Sequence, residues 1–187
     1  MERSQILDAA AQVISHKGFH AASMQDIANA VNLQKASLYH HISSKQEILF
    51  DLLERALDLL IERVSEAFSQ PLPADEKLRQ GVHVYLSALT EHTDLIAVLL
   101  LEHRSLKPEY RQRHILRRDC FEQLWRELLQ EGISAGIFRS VDPALAGRFL
   151  LGMMNWTITW YHPNGSLSIE TIAEQLTIFF LDGLRAC

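Results

Sequence analysis

"GFHAASMQDIANAVNLQKASLYHHISSKQEIL" (residues 18–49) decides the fold of this chain. Upstream, Ile6, Leu7, Ala10, Val13 and Ile14 recur at the helical period, and Gly18 is the expected C-cap of that first helix. Ser23 stands three residues before Asp26, a capping-box spacing that opens a second, short helix. Asn32 follows, a residue that tolerates the left-handed backbone of a tight turn. A third short helix is expected from about Lys35 to His41, with Leu38 inward and Lys35, Ser37 and His41 outward. Ser44 and Glu47 form a second capping box at the start of a long helix reaching about Phe68. Two short helices joined by a tight turn, the second with a polar outer face, describe a helix-turn-helix.

The same stretch is unusual in charge. From Ile27 to Gln46 there is no Asp or Glu, although the chain has 23 of them. Such a run is either a neutral surface or one that faces phosphates. In a helix-turn-helix the second helix offers its N-terminal residues to base edges in the major groove. Here these are Gln34, Lys35 and Ser37, whose groups suit adenine, guanine and mixed edges respectively. Tyr39, His40 and His41 lie at the far end, placed for phosphate contacts that set position rather than sequence. Lys45 falls in the first turn of the long helix, where a cation is disfavoured by the helix dipole unless an anion rests there. It reads either as a phosphate contact or as a solvated lysine. Ser23 reads either as a second phosphate donor or as a cap alone.

The remaining sequence supports a helical body. The break "SQPLPAD" (69–75) carries two prolines, and helices are expected near 76–92, 94–104, 108–134, 143–161 and 168–185. No period-2 alternation competes. The expected architecture is all-α with about nine helices: a three-helix head, a long connector and a body. The expected division is a DNA-facing head over 1–50 and a helical body over 51–187. The net charge of −5 over 187 residues hides an asymmetry, because residues 1–50 hold four Lys/Arg against four Asp/Glu and the body carries the whole deficit. A neutral head on an acidic body permits nucleic-acid contact by the head alone. Two cysteines, Cys120 and Cys187, make no disulfide framework. The charged start "MERSQILDAA" lacks a signal-peptide core, and the longest apolar stretch, "FLLGMMNWTITWY" (149–161), is too short and too polar for a membrane span. The expected location is the cytoplasm, with no membrane contact.

Within the body, Ile169, Ile172, Leu176, Phe179, Phe180 and Leu184 cover more than one face of the last helix. A helix apolar all round is buried on two sides, either in a monomer core or against a second copy. "GMMNWTITWYHPNG" (152–165) sets two Met, two Trp and a Tyr among Asn155, Thr157 and Thr159. Such a run either fills core or lines an apolar pocket with a few placed polar groups.

The order of residues in 3–50 resembles the DNA-binding head of the TetR family of bacterial transcriptional regulators. Gly18-Phe19, Asp26-Ile27-Ala28, Leu38-Tyr39-His40-His41 and Ser44-Lys45 carry the resemblance. Asn32 and Ala36 stand where glycine is common, Gln34 where serine is, and Ile42 where phenylalanine is; Gln34 and Ala36 are expected to change which bases are read. The resemblance implies a homodimer with one head per half-site of a palindromic double-stranded operator, and a small-molecule effector in the body. It places Phe149, Ile169, Ile172, Leu176, Phe179 and Phe180 at the dimer interface. The Met/Trp run further resembles a subgroup that regulates lipid breakdown and senses acyl-CoA thioesters. This implies that Met153, Met154, Trp156, Thr157 and Trp160, with Leu89, Leu99 and His103, meet the acyl part. Arg104, Lys107, Arg111 and Arg118 would then meet CoA phosphates, or form an ordinary solvated face.

No catalytic or metal motif accompanies these features: there is no H-E-x-x-H, Gly-rich phosphate loop or G-x-S-x-G. His16 and His20 are split by Gly18. No catalytic residue, metal or cofactor is expected. The expectation is a ligand-responsive repressor of fatty acid metabolism type. A drug-like or aromatic effector, activation instead of repression, a helical interaction module and an all-α enzyme remain the alternatives.

Overall fold

A computed structural model of the chain describes residues 2–185, so Cys187 lies outside the described residues. Nine α-helices follow one another among these: α1 (Arg3–Lys17), α2 (Met24–Ala30), α3 (Lys35–Leu38), α4 (Lys45–Phe68), α5 (Ala74–Glu91), α6 (Thr93–Glu102), α7 (Pro108–Ser134), α8 (Pro143–Trp160) and α9 (Ile169–Leu184). A single 3-10 turn, His103–Ser105, links α6 to α7. Among the described residues the one β-type pairing is an isolated antiparallel bridge between Phe138 and Arg185.

The chain packs as two compact units. One comprises the residues up to Asp58 together with His92–Arg117, and the other comprises Leu59–Glu91 together with the residues from Arg118 onward. Packing therefore divides the chain differently from the expected division at residue 50, because α6 and the start of α7 return to the first unit.

In the first unit α1 buries Ile6, Leu7, Ala10, Ala11 and Ile14 and packs on α2 and α6. It ends as expected at Gly18, whose N–H makes the last helical bond to the Ile14 carbonyl at 2.8 Å and whose φ of 79°, open to glycine, turns the chain out of the helix. The α2 capping box is complete: Asp26 N–H donates to Ser23 Oγ (3.1 Å) and Ser23 N–H to Asp26 Oδ2 (2.8 Å). Asn32, at φ 54°, is the only described non-glycine residue with positive φ. Around it Leu33 N–H reaches the Ala28 carbonyl (2.9 Å) and Asn32 N–H the Asn29 carbonyl (3.1 Å). That pair of bonds is a Schellman motif, so Asn32 both closes α2 and aims α3.

Two local expectations need correction. The third helix stops at Leu38 rather than His41, because His40 and His41 N–H bond three residues back, to Ser37 (3.2 Å) and Leu38 (3.0 Å). This tighter winding turns Ile42 into the core. At α4, Glu47 N–H does bond Ser44 Oγ (3.1 Å), but the Glu47 carboxylate takes the N–H and hydroxyl of Ser43 instead of closing a box on Ser44.

In the second unit α5 packs on α9 and α8. Its core holds Leu78, Val82, Tyr85, Leu86, Trp125, Leu129, Leu150, Met154, Phe180 and Leu181. Gly81 makes this packing possible. A Cβ there would collide with the Phe68 ring, which stands edge-on to Trp125 with ring centres 5.1 Å apart.

Candidate DNA interface and effector site

On the head, Gln34 is the N-cap of α3 but forms no side-chain cap bond, leaving its amide exposed. Lys35, His40 and His41 are exposed as well, Tyr39 is 46% exposed and Ser37 is half-buried. These side chains occupy α3 and the turn after it, on a surface whose only inward anchors are Leu38 and Ile42.

The cations of the head separate sharply. Arg3 pairs with Glu47 and Asp51 at 2.7 Å each. Lys17 pairs with Asp26 at 2.7 Å, and that hydrogen bond, followed by those from Ser23, holds the Asp26 carboxyl well below the usual carboxylate range. Lys45 donates to the carbonyls of Phe19 (2.7 Å), Ala22 (2.6 Å) and His20 (3.4 Å) and lies 4.5 Å from the centre of the Phe19 ring. Half-buried, it ties α4 to the loop before α2 through these three N–H bonds. Ser23 likewise gives its hydroxyl proton to Asp26 Oδ2 at 2.7 Å. Of the four basic side chains in residues 1–50, only Lys35 has no ion pair or hydrogen bond to the rest of the described chain.

The body residues named for an effector fall into both units. Leu99, His103 and Arg111 belong to the first, and Leu89, Arg118 and the Met/Trp run to the second. Leu89 and Leu99 are buried. His103 is half-buried and stacks on His114, with ring centres 6.4 Å apart. Arg111 donates to the Leu106 carbonyl (3.1 Å), whereas Arg118 is drawn to Asp119 (3.0 Å) and Glu122 (3.3 Å). On α8 the run divides by face. Met154 and Thr157 point into the core, Met153 is half-buried, and Trp156 (66%) and Trp160 (42%) are exposed. Met153, Trp156, Thr157 and Trp160 share an apolar groove of about 390 Å³ with Leu167, Ile172 and Leu176 of the α9 side.

Beside it, α8 and α9 form a larger apolar groove of about 1150 Å³, floored by Leu145, Phe149, Met153, Trp156, Phe179 and Phe180. Phe149 is 61% and Phe179 74% exposed. The residues expected at an interface thus part company. Phe149 and Phe179 face outward and Leu176 is half-buried, while Ile169, Ile172 and Phe180 are buried within the protomer.

Two features were not anticipated. Leu145, 47% exposed, extends the α8 stripe one turn upstream of Phe149, a spacing visible in the sequence. Tyr85, fully buried, donates its hydroxyl to Asn155 Oδ1, and burial pushes its pKa up; the 70-residue separation leaves no local signal. Among the described residues no three His, Cys, Asp or Glu side chains are grouped to hold a metal ion, and no single helix is long and apolar enough to cross a membrane.

Two family profiles match separate parts of the chain. Residues 6–52 match the family profile described as "Bacterial regulatory proteins, tetR family", and residues 71–184 match "Tetracyclin repressor-like, C-terminal domain". The chain is 32% identical over 186 residues to the HTH-type transcriptional repressor KstR2 of Rhodococcus jostii (strain RHA1), covering 98% of this chain and 91% of that protein. Among solved structures, the regulator PfmR from Thermus thermophilus superposes with a TM-score of 0.89 at 37% identity, covering 97% of this chain and all of that one. AibR in complex with isovaleryl coenzyme A and operator DNA superposes with a TM-score of 0.89 at 31% identity, covering 95% and 97% of the two chains.

Proposed function

The chain belongs to the TetR family of DNA-binding transcriptional regulators, and from that premise we propose that it is a cytoplasmic repressor that binds a palindromic operator as a homodimer and is released by an acyl-CoA thioester. The observation that carries the DNA half is the face of α3. Gln34, Lys35, Tyr39, His40 and His41 are exposed on a segment without a carboxylate, aimed by the Asn32 turn. Gln34, Lys35 and Ser37 read bases; Tyr39, His40 and His41 hold phosphates. Ser23 and Lys45 support this surface from behind through the bonds described above.

The dimer reading is supported by the exposed aromatic floor of the larger α8–α9 groove. Two copies related by a two-fold axis would cover it with the same residues and set two heads about one helical turn of DNA apart. The thioester reading is supported by the adjoining groove of Met153, Trp156, Thr157 and Trp160 and by the CoA thioester bound in the similar AibR. The effector acts by population shift: a 150-fold loss of operator affinity requires it to favour the released state by only about 3 kcal/mol.

The test is fluorescence anisotropy of the protein on DNA from upstream of its own gene, titrated with acyl-CoAs from isovaleryl to palmitoyl. Release by a thioester, and not by free CoA or the free acid, is the expected result. Tight binding without release by any thioester would remove the effector assignment and keep the regulator. Trp160→Ala should keep operator affinity and lose release; normal release in that variant would return the Met/Trp run to plain packing.

A further inference from the structure

We propose that Gln46 is the positioning residue through which the corner between α6 and α7 sets the orientation of the DNA-reading head. The proposal rests on the regulator reading above. The Gln46 amide makes two opposed bonds to the backbone of that corner. Its Nε2 donates to the Ser105 carbonyl at 2.9 Å, and its Oε1 accepts from the Lys107 N–H at 2.9 Å. A carbonyl only accepts and an N–H only donates, so the amide has one orientation and both of its ends are engaged.

One residue earlier on the same helical turn, Lys45 holds the carbonyls of Phe19, His20 and Ala22. Ala22 immediately precedes Ser23, the cap of α2. Consecutive residues of α4 therefore grip two different segments: Lys45 the entrance to the helix-turn-helix, Gln46 the corner before α7. A third tie runs directly between them, from Ser105 Oγ to His20 Nε2 at 3.2 Å, and Ser105 Oγ also reaches Glu102 Oε2 at 3.3 Å.

The corner continues directly into α6 and α7. A displacement there has two outcomes: the two Gln46 bonds break, leaving a backbone carbonyl and N–H unpaired, or the first turn of α4 follows and drags the loop at Phe19–Ala22 with it. The second keeps every bond. Coupling is reciprocal, so DNA held by the head must in turn restrain the corner. This permits a test that needs no effector.

A duplex is selected from a random pool by the wild-type protein, and amide hydrogen exchange is followed by mass spectrometry with and without it. In the wild type, saturating DNA should slow exchange across residues 102–110 by about fivefold or more. In Gln46→Ala most of that slowing should be lost, the Ser105–His20 bond carrying the remainder, while residues 24–42 remain protected by DNA. Gln46→Glu keeps the acceptor for Lys107 but loses the donor to Ser105, and should retain part of the effect. A purely local role for Gln46 would speed exchange at 102–110 in the free variant and leave its response to DNA unchanged; that outcome overturns the proposal. So would a wild-type corner indifferent to DNA. Failure to select any duplex would instead overturn the regulator reading beneath it. Melting curves of both variants establish that they are folded.

Discussion

Lys35 and Lys45 lie ten positions apart on the same motif and do different work. Lys35 has no partner in the described chain, so its removal costs the fold nothing and the DNA complex a cation. Lys35→Ala should weaken operator binding by about 1–3 kcal/mol and lower the slope of log affinity against log salt by about one per head. Its melting temperature should be unchanged. Lys45→Met should do the opposite at first hand, losing three charge-assisted bonds and roughly 1–3 kcal/mol of stability in thermal or urea unfolding. Equal melting temperatures for the two variants would refute this division. The sequence put both lysines at the site but not their roles. The carbonyls that hold Lys45 lie 23 to 26 residues upstream and belong to backbone, which side-chain patterns do not display. Asn32 was legible for the converse reason: its backbone demand is local.

At the scale of elements, α4 carries Glu47, Asp51, Glu54 and Asp58 at intervals of four, three and four, a single acidic stripe. Arg3 answers the first two and Arg117 the last. Glu54 is the exception. Its Oε1 is buried without a hydrogen bond, and burial raises its carboxyl pKa against the opposing pull of Arg113 and Arg117. The folded state therefore holds this proton more tightly than the unfolded one, so stability declines as pH rises from the ordinary glutamate value through the raised one. Glu54→Gln is neutral throughout and escapes that decline. It should melt about 2 °C higher than the wild type at pH 8, a difference that closes as the pH falls toward 4. A constant offset across that range would show that charge is not the cause. Helix bounds themselves were well legible, with α7 read at 108–134 and found there, because proline, glycine and capping residues act locally. The end of α3 was not, since it depends on Ile42 reaching a core assembled from other helices.

For the whole molecule the decisive surface is the one the chain leaves open. The apolar circumference of α9 was visible as composition, yet composition does not say which residues the protomer keeps. The protomer itself buries Ile169, Ile172 and Phe180, and Phe179 is left outward with Phe149 and Trp156. Substitution separates the two classes. Ile172→Glu places a charge in the core and should unfold the protomer. Phe179→Glu, at a side chain 74% exposed, should leave its helical content and melting behaviour intact. In the proposed dimer, two-fold symmetry presents each introduced carboxylate to the apolar face of the other copy, where burial without a partner opposes association. Sedimentation of Phe179→Glu should accordingly show a folded monomer at micromolar concentration, where the wild type should sediment as a dimer. Its operator affinity should fall by about a hundredfold or more, because two linked heads become two independent ones and the effective concentration of the second is lost. A folded Phe179→Glu that still sediments as a dimer would move the interface off the α8–α9 floor and assign that groove to some other occupant.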